Sequence, residues 1–176
     1  MLSSEELRSF PWAALDVLIV NEGEGRDLLE ALQQGEKVTS LQGPEVVEAL
    51  GKVSQLSHIP WLVMTRGGQG VSASVLSSSS SNNSSSTSSV ERKVLSVPAG
   101  KPRQVKDTTG AGDTFAGYLV ASLMAIDGAD VRAGKLESEQ VQQTLELAAL
   151  AGAIAVETPG AMVSIPDRQT VLSRRS

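Results

Sequence analysis

Short apolar runs along the chain alternate with segments whose apolar residues recur at helical spacing. Asp16–Val20 (DVLIV) is a β-branched run that predicts a strand, and beyond Asn21 the residues Leu28, Leu29 and Leu32 share one face of a helix. Gly43 and Pro44 open a second helix, with Pro at a favoured first position and Val46, Val47, Leu50 and Val53 on one side. Trp61–Met64 predicts another buried strand, and Val71–Leu76 and Val90–Val97 predict two more. From Asp107 a glycine-rich stretch feeds a helix that turns Phe115, Tyr118, Leu119, Leu123 and Ile126 towards a core. A polar stretch, Asp127–Gln140, leads to a last long helix from Val141 to about Val156. That helix is rich in Ala and contains Gly152, so another element or a flat ligand can approach it closely.

This alternation predicts an α/β protein with at least some parallel pairing. Ligands of such sheets bind at the carboxyl ends of the strands, and Asn21 and Thr65 each follow a strand on that edge. The block 77–89 is almost wholly Ser and Asn and has no apolar surface to offset the entropy of ordering it. It reads as a disordered hairpin insertion, with a phosphorylated regulatory loop as the functional alternative.

At 176 residues the chain has enough sequence for one domain. Hydrophobic residues make up 40% and charged residues 20%, which is ordinary for a soluble globular protein. Aromatics are only 3%, so Leu, Val, Ile and Ala must build the core. No apolar run approaches the roughly 18 residues that cross a bilayer, and Glu5 and Glu6 stand where a signal peptide would be basic then apolar. Cysteine is absent, which excludes disulfides and thiolate metal sites. These features predict a cytoplasmic (or nuclear) protein without a membrane partner. A net charge of -5 argues against broad binding to nucleic acid.

The most informative segment is Thr108–Asp113. Gly110 and Gly112 permit backbone angles that let successive N–H groups converge on one point, and the following helix adds its own amino-terminal N–H groups and dipole. That arrangement is an anion cradle, yet Asp113 places a carboxylate beside it. Either Asp113 caps the helix and the glycines make a tight turn, or the carboxylate faces an acceptor hydroxyl while the amides face a migrating phosphoryl group. Asn21 and Glu24 read equally as the start of a helix. Thr65–Gly70 reads as a turn between two strands, and Asp107 as a turn former at a strand end. His58 and Trp12 read as a surface imidazole and a packing residue. The P-loop pattern Gly-x-x-x-x-Gly-Lys-Ser/Thr does not occur.

Taken together, these segments resemble the ribokinase-like (PfkB) carbohydrate kinases. Asn21-Glu22-Gly23-Glu24 looks like the family's Asn-x-x-Glu motif, Thr65-Arg66-Gly67-Gly68-Gln69-Gly70 like its Thr-x-Gly-x-x-Gly nucleotide loop, and Asp107–Asp113 matches its Asp-Thr-x-Gly-Ala-Gly-Asp signature. The carboxy-terminal wording, Ala153–Val156 through Gly160-Ala161 to Ser164-Ile165-Pro166, is most similar to the members that phosphorylate ribose. The resemblance covers almost the whole chain apart from the serine block.

It implies a three-layer fold with a mostly parallel central sheet flanked by helices, incomplete on its amino-terminal side. It also implies ATP-dependent phosphorylation of a sugar hydroxyl, with ribose favoured. Asp113 would be the base, with Asp107 beside it on the sugar, and Gly110, Ala111 and Gly112 would form the anion hole. Asn21 and Glu24 would organise Mg²⁺ and the phosphates, largely through water. Thr65, Gly67, Gly68 and Gly70, with Gly112 and Asp113, would line the nucleotide. A monovalent cation, K⁺, would sit among Asp107, Thr109, Ala155, Thr158, Gly160 and Ser164.

Departures from the family pattern are equally plain. The last helix carries Leu147-Ala148-Ala149-Leu150 where members often place an Asn near the adenine, which leaves apolar contacts and backbone to hold the base. Nothing in the chain corresponds to the family's Gly-Gly and Asn sugar motif, its substrate Asp, or the β-sheet lid through which members form homodimers. The expectation is therefore a partial kinase domain over residues 1–176, with a catalytically inactive nucleotide-binding or interaction module as the alternative.

Overall fold

The computed structural model describes residues 3–33, 38–78 and 90–175. They divide into two compact units: residues up to 66 with 72–95 and 129–135, and residues 67–71, 96–128 and 136–176.

The first unit holds most of a four-stranded sheet ordered β1 (Val17–Asn21), β2 (Trp61–Thr65), β3 (Val71–Ser78) and β4 (Val90–Val97). Strands β1 and β2 are parallel, with Val17 opposite Trp61 and Asn21 opposite Thr65. Parallel neighbours need a crossover, and two helices supply it. The chain turns out of β1 directly into α2 (Glu22–Leu32), then into α3 (Pro44–Lys52) through Gly43, whose φ of 55° suits a residue without a side chain. Leu28, Leu29 and Leu32 of α2 pack with Val46, Val47 and Leu50 of α3 and Leu62 and Met64 of β2. Asn21 and Thr65 are the last residues of their strands rather than the residues after them.

Ahead of β1, a six-residue helix α1 (Ser4–Ser9) starts at Ser3, whose hydroxyl and amide exchange hydrogen bonds with Glu6. Trp12 is buried, and its indole N–H donates to the Leu7 carbonyl at 2.8 Å. Leu29 has no exposed surface. Truncation to Ala is expected to lower stability by about 2–5 kcal/mol, read as a fall in the denaturation midpoint.

The serine block departs from its expected start. Ser77 is buried in β3, and Ser78 continues that strand because the Gly134 carbonyl accepts from its amide at 2.9 Å and its hydroxyl at 3.2 Å. Gly134 lies just after α5 (Gly128–Arg132), a helix inside the stretch expected to be merely polar. Arg132 of α5 forks onto both carboxylate oxygens of Asp16 at 2.7 Å, just before β1. The rest of the block, 79–89, and with it the choice between insertion and phosphorylated loop, lies outside the described residues.

Arg92 of β4 is a further fastening that its sequence context does not announce. Its guanidinium donates to the Ser74 hydroxyl and to the carbonyls of Ser57, Ile59 and Ser74 at 2.7–3.0 Å. Burial holds its pKa down at about 10. These acceptors tie β4 to β3 and to the turn before β2.

In the second unit α4 (Ala111–Met124) lies against α6 (Ser138–Ala155), and α7 (Arg168–Ser173) closes over α6. Phe115, Leu119 and Leu123 of α4 are buried as expected, and Tyr118 is part-buried, its hydroxyl donating to the Pro166 carbonyl at 2.7 Å. Leu147, Ala151 and Ile154 of α6 enclose Val171 of α7. The small residues of α6 serve helix approach: a Cβ on Gly152 would stand 3.1 Å from the Ala111 carbonyl oxygen.

Candidate active site

Asn21, Glu24 and Thr65 belong to the first unit. Register places Asn21 beside Thr65 at the carboxyl ends of β1 and β2. Asn21 caps α2: its side-chain oxygen accepts the Glu24 amide at 2.9 Å, and a Glu24 carboxylate oxygen accepts the Asn21 amide at 2.8 Å. This reciprocal box satisfies two helix-start donors. It occupies one oxygen of Glu24, and the second has no partner among the described residues.

All the other candidates lie in the second unit. Gly67–Gln69 form a single 3-10 turn closed by the Gly70 amide on the Gly67 carbonyl at 3.1 Å. Gly67 and Gly70 have φ of 54° and 93°, and Gly67 and Gly68 are exposed. Gly70 is buried where the chain crosses Val97–Ala99: a Cβ there would lie 2.1 Å from the Val97 carbonyl oxygen.

The Asp107–Asp113 segment is anchored at its first residue. One carboxylate oxygen of Asp107 accepts the Thr109 amide at 2.9 Å, and the other accepts the Gly160 amide at 3.0 Å. The Asp107 and Lys106 amides both donate to the Val156 carbonyl. These bonds bring Thr109, Gly160 and the end of α6 together, although 53 residues separate Asp107 from Gly160. The Thr158 amide donates to Ala155, and Ser164, almost fully buried, donates its hydroxyl to Ala161 at 3.1 Å. Asp107, Thr109, Ala155, Thr158, Gly160 and Ser164 thus lie on one pair of adjoining loops and the adjacent end of α6. Their donors are oxygens only, as suits a hard cation.

The amide bonds from Gly160 and then Thr109 hold the Asp107 carboxyl down at about 2, against an ordinary 3.8. A carboxylate whose folded pKa is depressed stabilises the fold above its unfolded pKa, and the benefit is lost as pH falls through the folded value. The margin of the wild type over Asp107→Asn is therefore expected to be constant from neutrality to about pH 5. It should shrink between pH 3.8 and about 2, as followed by thermal unfolding.

Gly110 is the pivot. It adopts a left-handed conformation with φ of 79° and caps α4, and a Cβ there would meet Ala161 at 2.9 Å. The helix begins at Ala111, so Gly112 and Asp113 lie in its first turn rather than in a loop before it. Asp113 is consequently not the cap, and no side chain caps this end. Its carboxylate is exposed and has no hydrogen-bond or ion-pair partner among the described residues. The Ala111 amide is engaged with the Thr108 carbonyl at a long 3.3 Å, whereas the Gly110, Gly112 and Asp113 amides make no backbone bond among the described residues. Free amides at a helix start, with the dipole behind them, favour a bound anion.

No Asn or Gln side chain faces out from Leu147–Leu150 of α6, and Leu147, Ala148 and Ala149 are buried. Gly100 sits against Ala149, Leu150 and Ala153, within 3.0 Å of a Cβ built on it. Sequence reasoning did not find Arg92, or the cluster of Lys101, Arg103, Glu157 and Arg174 described below. Both depend on residues far apart in the chain.

Comparison with known proteins gives one consistent answer. The profile of the pfkB family of carbohydrate kinases matches residues 4–168. A curated ribokinase of Arabidopsis thaliana is 36% identical over 69 residues, 39% of this chain and 15% of that protein. The ribokinase of Cryptococcus neoformans, solved in complex with ADP, superposes with a TM-score of 0.73 and 32% identity over 99% of this chain and 50% of its own. A fructokinase of Xylella fastidiosa with bound ATP follows at 0.69 and 22%, over 99% of this chain and 46% of its own. The chain spans about half the length of these structures.

Proposed function

Because the chain belongs to the pfkB family of carbohydrate kinases, we propose that it carries the phosphoryl-transfer machinery of an ATP-dependent sugar kinase, with Asp113 as the base. The observation that carries this reading is the start of α4, where, among the described residues, a carboxylate without a partner stands in the same helical turn as amides without acceptors. A helix that needed Asp113 only as a cap would engage it. Here Gly110 holds the cap position, which leaves the acid to another group.

In the reaction an alcohol oxygen of the sugar attacks the γ-phosphorus of ATP, the bond to the bridging oxygen breaks, and ADP leaves. Asp113 orients the hydroxyl and accepts its proton late, which suffices because a loose transition state keeps the nucleophile protonated until transfer is advanced. Asp107, at the start of the same loop and held by the Thr109 and Gly160 amides, would stand beside Asp113 towards the sugar. The Gly110 and Gly112 amides meet the charge on the migrating phosphoryl group. The Ala111 amide joins them by giving up its long turn bond to Thr108. Gly67, Gly68 and Gly70 would line the nucleotide, with backbone close to the phosphates.

Asn21 and Glu24 would hold Mg²⁺ through water, using the Glu24 oxygen that has no partner among the described residues. The loops around Asp107 and Gly160 would hold K⁺, which would stiffen the anion hole. Ribose is the preferred acceptor, supported by the 32% identity to a ribokinase.

The test is ADP formation with ribose and with fructose, each with and without K⁺. Ribose-dependent turnover raised by K⁺ is the expected result. The alternative reading is a nucleotide-binding module without turnover. ATP binding with no sugar-dependent ADP formation would select that alternative.

A further inference from the structure

The second unit carries a cluster of charges that the kinase reading leaves unused. Gly152 of α6 faces Ala111 and Phe115. At 3.6 residues per turn, Glu146 and Leu150 are rotated roughly 120–160° from it around the helix axis. With Lys101, Arg174 and Arg175 they line a cleft of about 570 Å³. That volume lies within the roughly 300–1,000 Å³ typical of small-ligand sites.

The cleft is built around one fixed guanidinium. Arg174 donates to a Glu157 carboxylate oxygen at 2.8 Å and to the Lys101 carbonyl at 3.2 Å, and the same Glu157 oxygen accepts the Arg103 amide at 2.7 Å. Burial pushes the Glu157 carboxyl up, but the Arg103 amide and Arg174 outweigh it and hold the group ionised below the usual range. Glu157 therefore balances Arg174. Lys101 and Arg175 are exposed and have no ion-pair partner among the described residues. Glu146, the remaining acid of the cleft, takes the Gln142 amide at 2.7 Å. A chain of net charge -5 thus gathers three cations, Lys101, Arg174 and Arg175, against two carboxylates, Glu157 and Glu146, a local excess of one positive charge beside one apolar wall, Leu150.

We propose that this cleft is a second anion site, taking a small phosphate monoester whose phosphate lies between Lys101 and Arg175 and whose organic part rests on Leu150. Lys101 and Arg175 are both exposed on this cleft, and the several oxygens of a phosphate can accept from both at once where a single carboxylate offers two. Nothing in the site depends on phosphoryl transfer at α4, so it stands or falls independently of the kinase reading.

Calorimetric titration with inorganic phosphate and with ribose 5-phosphate tests it. At least one probe should bind the wild type, and Lys101→Ala/Arg175→Ala should weaken that binding at least tenfold, whereas Lys101→Arg/Arg175→Lys should retain it. Leu150→Ala should weaken ribose 5-phosphate and leave inorganic phosphate unchanged. Circular dichroism of the double Ala variant should match the wild type, since both side chains are exposed. Failure of both probes to bind at millimolar concentration, or binding indifferent to the double Ala change, would overturn the proposal.

Discussion

Replacing Asp113 with Asn is expected to lower sugar-dependent ADP formation by about 10²–10⁴-fold while leaving nucleotide affinity and thermal stability at wild-type values. The split follows from the surroundings of the residue. Its carboxylate is exposed and unpartnered among the described residues, so the isosteric amide breaks no bond and should shift stability by less than about 0.5 kcal/mol. An amide cannot take the hydroxyl proton. It still occupies the same space, and the Gly110 and Gly112 amides, without backbone acceptors among the described residues, stay open to the proposed phosphoryl group. The loss should therefore fall on kcat, with little change in KM for ATP. A residue that merely favoured the positive end of the helix would behave oppositely. Turnover would persist at the wild-type rate, an outcome that would remove Asp113 from the chemistry.

The elements that bury a long apolar face were legible from spacing alone. Leu28, Leu29 and Leu32, or Val46, Val47 and Leu50, repeat over enough turns for the helical period to stand out, and both sets are core residues. Helices α1, α5 and α7 have five or six residues each, too short to display a period. Only local cap chemistry marks two of them, such as Ser3 with Glu6 and Asp167 accepting the Thr170 amide. Composition misjudged the first serines of the polar block: Ser77 and Ser78 extend a strand because the Gly134 carbonyl, far along the chain, receives Ser78.

The candidate site divides in the same way. Glycines at 110 and 112 before a helix were a visible cradle, but spacing could not say which residue caps the helix. That answer comes from the left-handed backbone at Gly110, which lets Ala161 approach too closely for any side chain. The joining of Asp107 to Gly160 was implied only by resemblance. In physical terms it rests on a carboxylate receiving amides from two directions, which no local pattern encodes. Arg92 is the extreme case, since its acceptors lie on β3 and in the turn before β2.

Gly70→Ala is expected to destabilise the chain by about 3 kcal/mol or more, lowering the unfolding temperature by roughly 6–12 °C for a chain of this size. The added methyl would stand 2.1 Å from the Val97 carbonyl oxygen and 2.8 Å from the Ala99 nitrogen and Pro98 carbonyl carbon. All three are backbone atoms, so no side-chain rotation relieves the overlap, and φ of 93° adds strain for any residue with a Cβ. Relief requires the 3-10 turn to pull away from the Val97–Ala99 segment, which would also displace Gly67 and Gly68 from the proposed nucleotide. Gly68→Ala is the matched control: its Cβ would meet nothing within 4 Å, and its backbone needs no positive φ. It should unfold within about 2 °C of the wild type. Equal melting temperatures for the two variants would show that the close crossing at Gly70 is not maintained in solution.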